Sequence, residues 1–259
     1  MAQKRWSLSV PLEGFTLAEH PAIAQEAERL GYTDAWSFEV DGIDCFSPLA
    51  ILGATTNMRL GTAIANVYTR GPATLAQSAA GIAEIAPGRF HFGIGSGSQP
   101  IIEMWNHGKF DRPATRVREM AQFLRQALAG ERVVFSGKTF CVDGFRLSRP
   151  PSEPIPIHVA ALRENMLRVA GEVADGAIIN WLSVEDVRKS VAIDIVTWLT
   201  VMAHKSAHTI LTETARVVSG KIESPLRRAI EQDARFRILS RQLWQKIHNA
   251  CNCICTVEC

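Results

Sequence analysis

The chain has 259 residues, 47% hydrophobic and 21% charged, a balance that suits a folded domain with a sizeable core and excludes disordered and fibrous classes. Its 28 basic and 26 acidic side chains leave a formal charge of +2, too even for a nucleic-acid or acidic-membrane surface, so a small molecule is the expected partner. The opening MAQKRWSLSVPLEGF lacks the apolar run of a signal peptide. No window reaches the ~20 unbroken apolar residues of a membrane helix, and a cytoplasmic protein is expected.

The first three quarters alternate short β-rich runs with helical periodicity, the sign of βα units on a parallel sheet. Trp6, Leu8 and Val10 alternate with serines as a first strand; Ile23, Ala27 and Leu30 share a face of a helix that Gly31 stops. Asp34 to Glu39 reads as strand two, followed by a helix from about Ser47 with Pro48 in its first turn. Met58 to Ala65 is strand three, and Pro72 opens a helix with Leu75, Ala79, Ile82 and Ile85 on one face. Strand four, Arg89 to Ile94, runs into GIGSGS, and the next helix turns Val117, Met120, Leu124 and Leu128 inward. The Gly- and Pro-punctuated stretch from Glu131 to Pro156 reads as a hairpin-like excursion able to serve as a lid. Strand five is Ile157 to Ala161; Leu167, Ala170 and Ala174 mark a helix, and Ala177 to Trp181 is strand six.

Six units are spent by about residue 190, and ~60 further residues suffice for two more, so the expected fold is an α/β TIM (β/α)8 barrel with an atypical last quarter. On this division 1–190 holds units one to six and 191–250 is a divergent closing segment, its firmest element a helix opened by Ser224-Pro225. A cysteine-rich tail, 251–259, ends the chain.

The serial glycines from Gly93 to Gly97 leave backbone N–H groups free to approach a flat or anionic ligand. Their G-x-G-x-G spacing after a fourth strand departs from the dinucleotide fingerprint, and such a run equally serves a tight turn. Barrel ligands sit at the carboxyl ends of the strands, which gathers Glu39 to Asp44, Asn66 to Arg70, the glycine run and Ala161 to Asn165 on one rim. Arg70 and Arg163 are the cations there for a phosphate. His91 and His158 lie inside strands and are expected as packed histidines, whereas His107 lies in a loop; Glu39 and His107 are the side chains put forward for catalysis. His204 and His208 lack the carboxylate of H-E-x-x-H, and Cys251, Cys253, Cys255 and Cys259 lack paired C-x2-C spacing, so no metal is expected. No triad or nucleophile elbow can be named, the pattern of a reaction whose chemistry belongs to a cofactor.

From Leu60 to Ser98 the run LGTAIANVYTRGPATLAQSAAGIAEIAPGRFHFGIGSGS closely resembles the bacterial luciferase-like monooxygenase superfamily, and within it the branch dependent on the deazaflavin coenzyme F-420. The likeness extends through DAWSFEVDGIDCF (34–46), MWNHGKFDRPATRVREM (104–120) and PIPIHVAALRENMLRVAGEVADGAI (154–178), in order, over about residues 6–190. The resemblance implies a TIM barrel with a tricyclic ring across the rim and a non-prolyl cis peptide at Ala63-Ile64 behind it. Glu39, Gly95, Ser96, Gly97, Ala160, Ala161 and Leu162 are then near the cofactor, and Asn66 and Arg163, on loops of the same rim, count among its contacts. It further implies a homodimer and an oxidoreductase moving a hydride between coenzyme F-420 and a small organic substrate. The alternatives are an FMN-dependent monooxygenase and, from another class, a non-catalytic cofactor-binding barrel.

Departures from the family pattern narrow this. Glu39-Val40 stands where the family's sugar-phosphate dehydrogenases carry an acid followed by a histidine. Ser96 stands where the light-emitting FMN enzymes carry arginine, and Gly71 where a larger polar residue often precedes the proline. From about residue 190 the likeness ends.

Overall fold

The computed structural model describes residues 5–180, 182–191 and 193; His204, His208, the helix at Ser224 and the cysteine tail lie outside the described residues. The strands are β1 (Ser7–Val10), β2 (Asp34–Ser37), β3 (Arg59–Thr62), β4 (Ala65–Asn66), β5 (Phe90–Gly95), β6 (Val133–Ser136), β7 (Cys141–Phe145), β8 (Ile157–Ala160) and β9 (Gly176–Ile178). The helices are α1 (His20–Arg29), α2 (Ser47–Thr55), α3 (Pro72–Ile85), α4 (Pro113–Leu128) and α5 (Glu164–Val173).

One sheet runs β1-β2-β3-β5-β8-β9, with β4 beside β5, and every pairing in it is parallel. Each parallel step needs a crossover, and the five α-helices lie in those crossovers, the repeating unit of a TIM barrel. The register aligns the carboxyl ends: Val10 faces Ser37, Ser37 faces Thr62, Asn66 faces Gly95 and Ala160 faces Ile178. Among the described residues β1 and β9 are the outer strands of this array.

Strand three is interrupted rather than continuous. β3 and β4 flank Ala63-Ile64, whose peptide bond is cis, and the Ala63 N–H reaches back to the Ser37 carbonyl. Strand two stops at Ser37 and strand six at Ile178, shorter than the hydrophobic runs suggest; Trp181 lies outside the described residues. The buried face of α1 is His20, Ala24 and Ala27, whereas Leu30 is 65% exposed because it caps the helix instead of continuing it. Ile85, the last residue of α3, is likewise exposed, while Leu75, Ala79 and Ile82 are buried. In α4, Val117, Met120, Leu124 and Leu128 all face the core as their spacing requires.

The excursion is an antiparallel hairpin, β6 with β7. Phe135, Phe140 and Phe145 surround Phe123 of α4, with ring centroids 6.0–6.3 Å apart. Glu119 accepts the Lys138 and Thr139 N–H groups and the Thr139 hydroxyl, which closes the turn. The hairpin's apolar face is thereby committed to α4, so it is a fixed appendage of that helix and not a free lid.

Successive strand residues point to opposite faces. Phe92 turns toward the helices and meets Phe46, while His91, one residue earlier, turns to the enclosed face with Trp36 and His158. His91 Nδ1 and His158 Nε2 are 3.0 Å apart, and the rings stack with centroids 5.3 Å apart. Both are packed histidines, as strand positions demand. Burial first, then the neighbouring His158 and Arg59, push the His91 pKa down to about 3. Gly61 admits the Trp36 indole, since a Cβ there would fall 2.2 Å from the ring. At the amino end of β2, the fully buried Asp34 carboxylate accepts from Arg5 at 2.9 and 3.1 Å and from Thr33 and Arg59. Burial works to raise its pKa, but the Arg5 and Thr33 hydrogen bonds and the Arg59 charge hold it below the usual carboxylate range.

Candidate functional site

The carboxyl ends of β3, β4, β5 and β8 converge on a small apolar wall. A Cβ at Gly95 would lie 2.9 Å from Ile64 Cγ1 and 3.1 Å from Ala160 Cβ, so only glycine lets these side chains close over the strand. Asn66 pairs with Gly95 across the β4–β5 register and is buried, its Oδ1 accepting the Tyr68 N–H at 2.8 Å. Gly97 has φ +62, and a Cβ there would fall 2.1 Å from Asn66 Nδ2. The glycine run therefore serves both a left-handed turn and a close approach of backbone to a buried amide. Ser96 is half-buried, its hydroxyl 3.3 Å from the Gly97 carbonyl.

Beside this wall stands an ion pair. Arg70 Nη1 donates to Glu39 Oε2 at 2.6 Å and Nη2 to Oε1, a two-pronged contact, and the Asn66 N–H lies 3.4 Å from Oε2. The guanidinium sits over the Phe46 ring, 5.1 Å from its centroid, and 4.0 Å from Asp44. Burial disfavours its charge, yet Glu39 and Asp44 hold the Arg70 pKa above the ordinary arginine value. Asp44 accepts the Phe46 and Ser47 N–H groups at 2.8 and 3.1 Å and so caps α2. Arg70 was expected as a cation available to a phosphate; in this structure its guanidinium is engaged by Glu39. Neighbouring Cys45 is fully buried, and burial pushes its thiol pKa up, which disfavours the thiolate.

The remaining site residues are more dispersed. Ala63 and Ile64 are half-buried beside Gly95. Ala161 is buried, its N–H bonded to the Ile178 carbonyl at 2.9 Å. Leu162 and Arg163 are exposed, and the Arg163 carbonyl accepts the Met166 and Leu167 N–H groups at the start of α5. His107 is exposed at φ 52, following a π-helical turn, Pro100–Trp105, that holds Met104 and Trp105 out to solvent. Among the described residues no hydrogen bond or ring contact joins His107 to Glu39. The wall thus unites Ile64, Asn66, Gly95, Gly97 and Ala160 with Glu39, and leaves His107 and Arg163 apart. The Glu39–Arg70 pair and the π-helical turn escape sequence reasoning: 31 residues separate the two ion-pair partners, a distance with no periodic signature.

An apolar wall bordered by a buried amide and a paired carboxylate suits a flat ring with polar edges better than it suits acyl or phosphoryl chemistry. The fold and this wall define a barrel that holds its ligand at the carboxyl ends of its strands. Residues 2–197 match the family model of luciferase-like monooxygenases, and the chain belongs to that family.

The chain is 33% identical over 159 residues to a 5,10-methylenetetrahydromethanopterin reductase of Methanolobus tindarius, covering 61% of this chain and 48% of that one. It is 31% identical over 182 residues to an F420-dependent hydroxymycolic acid dehydrogenase of Mycobacterium tuberculosis, covering 64% and 50%. The chain spans about half the length of these curated relatives. The solved coenzyme F420 dependent tetrahydromethanopterin reductase of Methanopyrus kandleri superposes with a TM-score of 0.66 at 25% identity, over 77% of this chain and 62% of that one. An FMN-bound 3,6-diketocamphane monooxygenase of Pseudomonas putida has the same fold, with a TM-score of 0.66 at 16% identity over 77% and 64%. Among the described residues no helix is long and apolar enough to cross a membrane.

Proposed function

We propose that this chain is an oxidoreductase that binds coenzyme F-420 on the rim and moves a hydride between it and a small organic substrate. The observation that carries the reading is the wall of Ile64, Gly95 and Ala160 beside the Ala63-Ile64 bond, at the carboxyl ends where barrel ligands sit. It is supported by relatives that use F420 by name. The residues present fit such a group: the wall offers a flat apolar backing, Glu39 and Asn66 offer polar edge contacts, and Ser96, Gly97, Ala161, Leu162 and Arg163 belong to the adjoining loops. When bound, the deazaflavin supplies the carbon that accepts or gives up the hydride. The chain's own part is to orient the ring, back it with apolar surface and limit water around it. Val40, where sugar-phosphate dehydrogenases of the family carry histidine, argues against that substrate class.

FMN is the second reading, favoured by the likeness to an FMN-bound monooxygenase. The reading also carries a homodimer and a cytoplasmic setting. Reduced F-420 mixed with the purified chain and a panel of small carbonyl and imine acceptors tests it: acceptor-dependent reoxidation is expected. Reoxidation only of reduced FMN, and only with oxygen, would replace the first reading by the second.

A further inference from the structure

Three loops meet at the Glu39–Arg70 pair. Glu39 follows β2, Arg70 lies between β4 and α3, and Asn66, whose N–H faces Glu39, is held against Gly97 of the loop after β5. The pair is mostly shielded from solvent, its side chains 15% and 19% exposed. Arg70 is fixed on three sides, by the two carboxylate oxygens, the Phe46 ring and Asp44. Asp44 is itself committed to the α2 backbone and to Ser47. A guanidinium so enclosed by two acids is a poor receptor for a phosphate, since an anion must displace Glu39 to reach it. It is a good clamp, because the planar fork fixes both the distance and the orientation of the carboxylate.

We propose that Arg70 is a positioning residue, acting through Glu39, that fixes the loop after β2 against β4 and the glycine loop and so shapes the wall for the ring. The inference rests on the cofactor reading above, but part of its test does not.

The experiment is a double-mutant cycle on the full chain with Arg70→Met, Arg70→Lys, Glu39→Gln and the Glu39→Gln/Arg70→Met double variant. Each is titrated with coenzyme F-420 and with inorganic pyrophosphate, and each is unfolded in urea with no ligand present. If Arg70 acts through Glu39, Arg70→Met and Glu39→Gln each weaken F-420 binding about tenfold, the double variant is no weaker than either, and Arg70→Lys restores part of the loss. Pyrophosphate binding is then the same for Arg70→Met and wild type. Additive losses, or pyrophosphate binding that falls with Arg70→Met and rises with Glu39→Gln, would identify a phosphate receptor and overturn the proposal. If wild type binds no F-420, the cofactor reading fails separately, and the ligand-free arm decides: non-additive unfolding with lysine rescue supports the clamp, and additive unfolding refutes it. Should Arg70→Met not fold, Arg70→Gln and the Glu39→Gln/Arg70→Gln double variant take its place in the same cycle.

Discussion

Acid should weaken this fold at a pH well above the carboxylate range, and the cause should be the buried imidazole of His91. An ordinary histidine titrates near 6.5 in an unfolded chain, whereas His91, stacked on His158 inside the sheet, is held to about 3. Because the folded value is depressed, the unfolded chain takes up a proton that the folded one refuses. Stability from this source is therefore complete above about pH 6.5 and is lost as pH falls toward 3, in total on the order of 4–5 kcal/mol. Between pH 7 and pH 5 the expected loss is about 2 kcal/mol. Asp34 has the opposite chemistry: its pKa is lowered, so its contribution is retained above the ordinary carboxylate pKa and disappears only below about pH 4. Urea unfolding followed by circular dichroism at pH 7, 6 and 5 isolates the histidine window. His91→Gln, which keeps a hydrogen-bonding partner for His158 but cannot be charged, should flatten it to a few tenths of a kcal/mol. An equal loss of stability in wild type and His91→Gln would refute the reasoning.

Three substitutions probe other parts of the structure. Asp34→Ala leaves Arg5 and Arg59 facing each other without their shared carboxylate; a loss on the order of 3 kcal/mol is expected in urea at pH 7, and a loss under about 1 kcal/mol would show the cluster to be dispensable. Gly61→Ala places a methyl group within 2.2 Å of the Trp36 ring, so thermal unfolding should record a destabilisation of about 2–3 kcal/mol and a shifted tryptophan emission; unchanged emission would argue against the Trp36 placement. Gly95→Val drives Ile64 and Ala160 apart and should weaken ring binding by about tenfold or more while leaving the far-ultraviolet spectrum intact; undiminished binding would detach the wall from the ligand.

The sequence is most legible where a signal is local or periodic. The helix faces of α3 and α4 follow from 3.6-residue spacing, the strand position of His91 follows from the Phe90-to-Phe92 alternation, and that of His158 from the β-rich run Ile157 to Ala161. Helix ends are less legible: Leu30 and Ile85 match the apolar period, but the last turn no longer faces the sheet. Strand three could be read as one run because no proline or turn cluster interrupts Met58 to Ala65, and the break is set by how Ala63 meets the Ser37 carbonyl. The Glu131 to Pro156 excursion was readable as a hairpin from its glycines and prolines, but its docking on Phe123 was not, since aromatic contacts across many residues leave no local trace. The same holds for the site. Gly95 and Gly97 stand out in any reading, whereas the partner of Glu39 is set only by the meeting of two loops, and Arg70 looks like any exposed loop arginine until they meet.

The central claim is that the rim holds a deazaflavin ring. Equilibrium titration of the purified chain with oxidised coenzyme F-420, followed by cofactor fluorescence and repeated with FMN, tests it most directly. The account predicts saturable one-to-one binding of F-420 that Gly95→Val weakens, with FMN binding less tightly. Saturable FMN binding with none of F-420, or no binding of either, would contradict it.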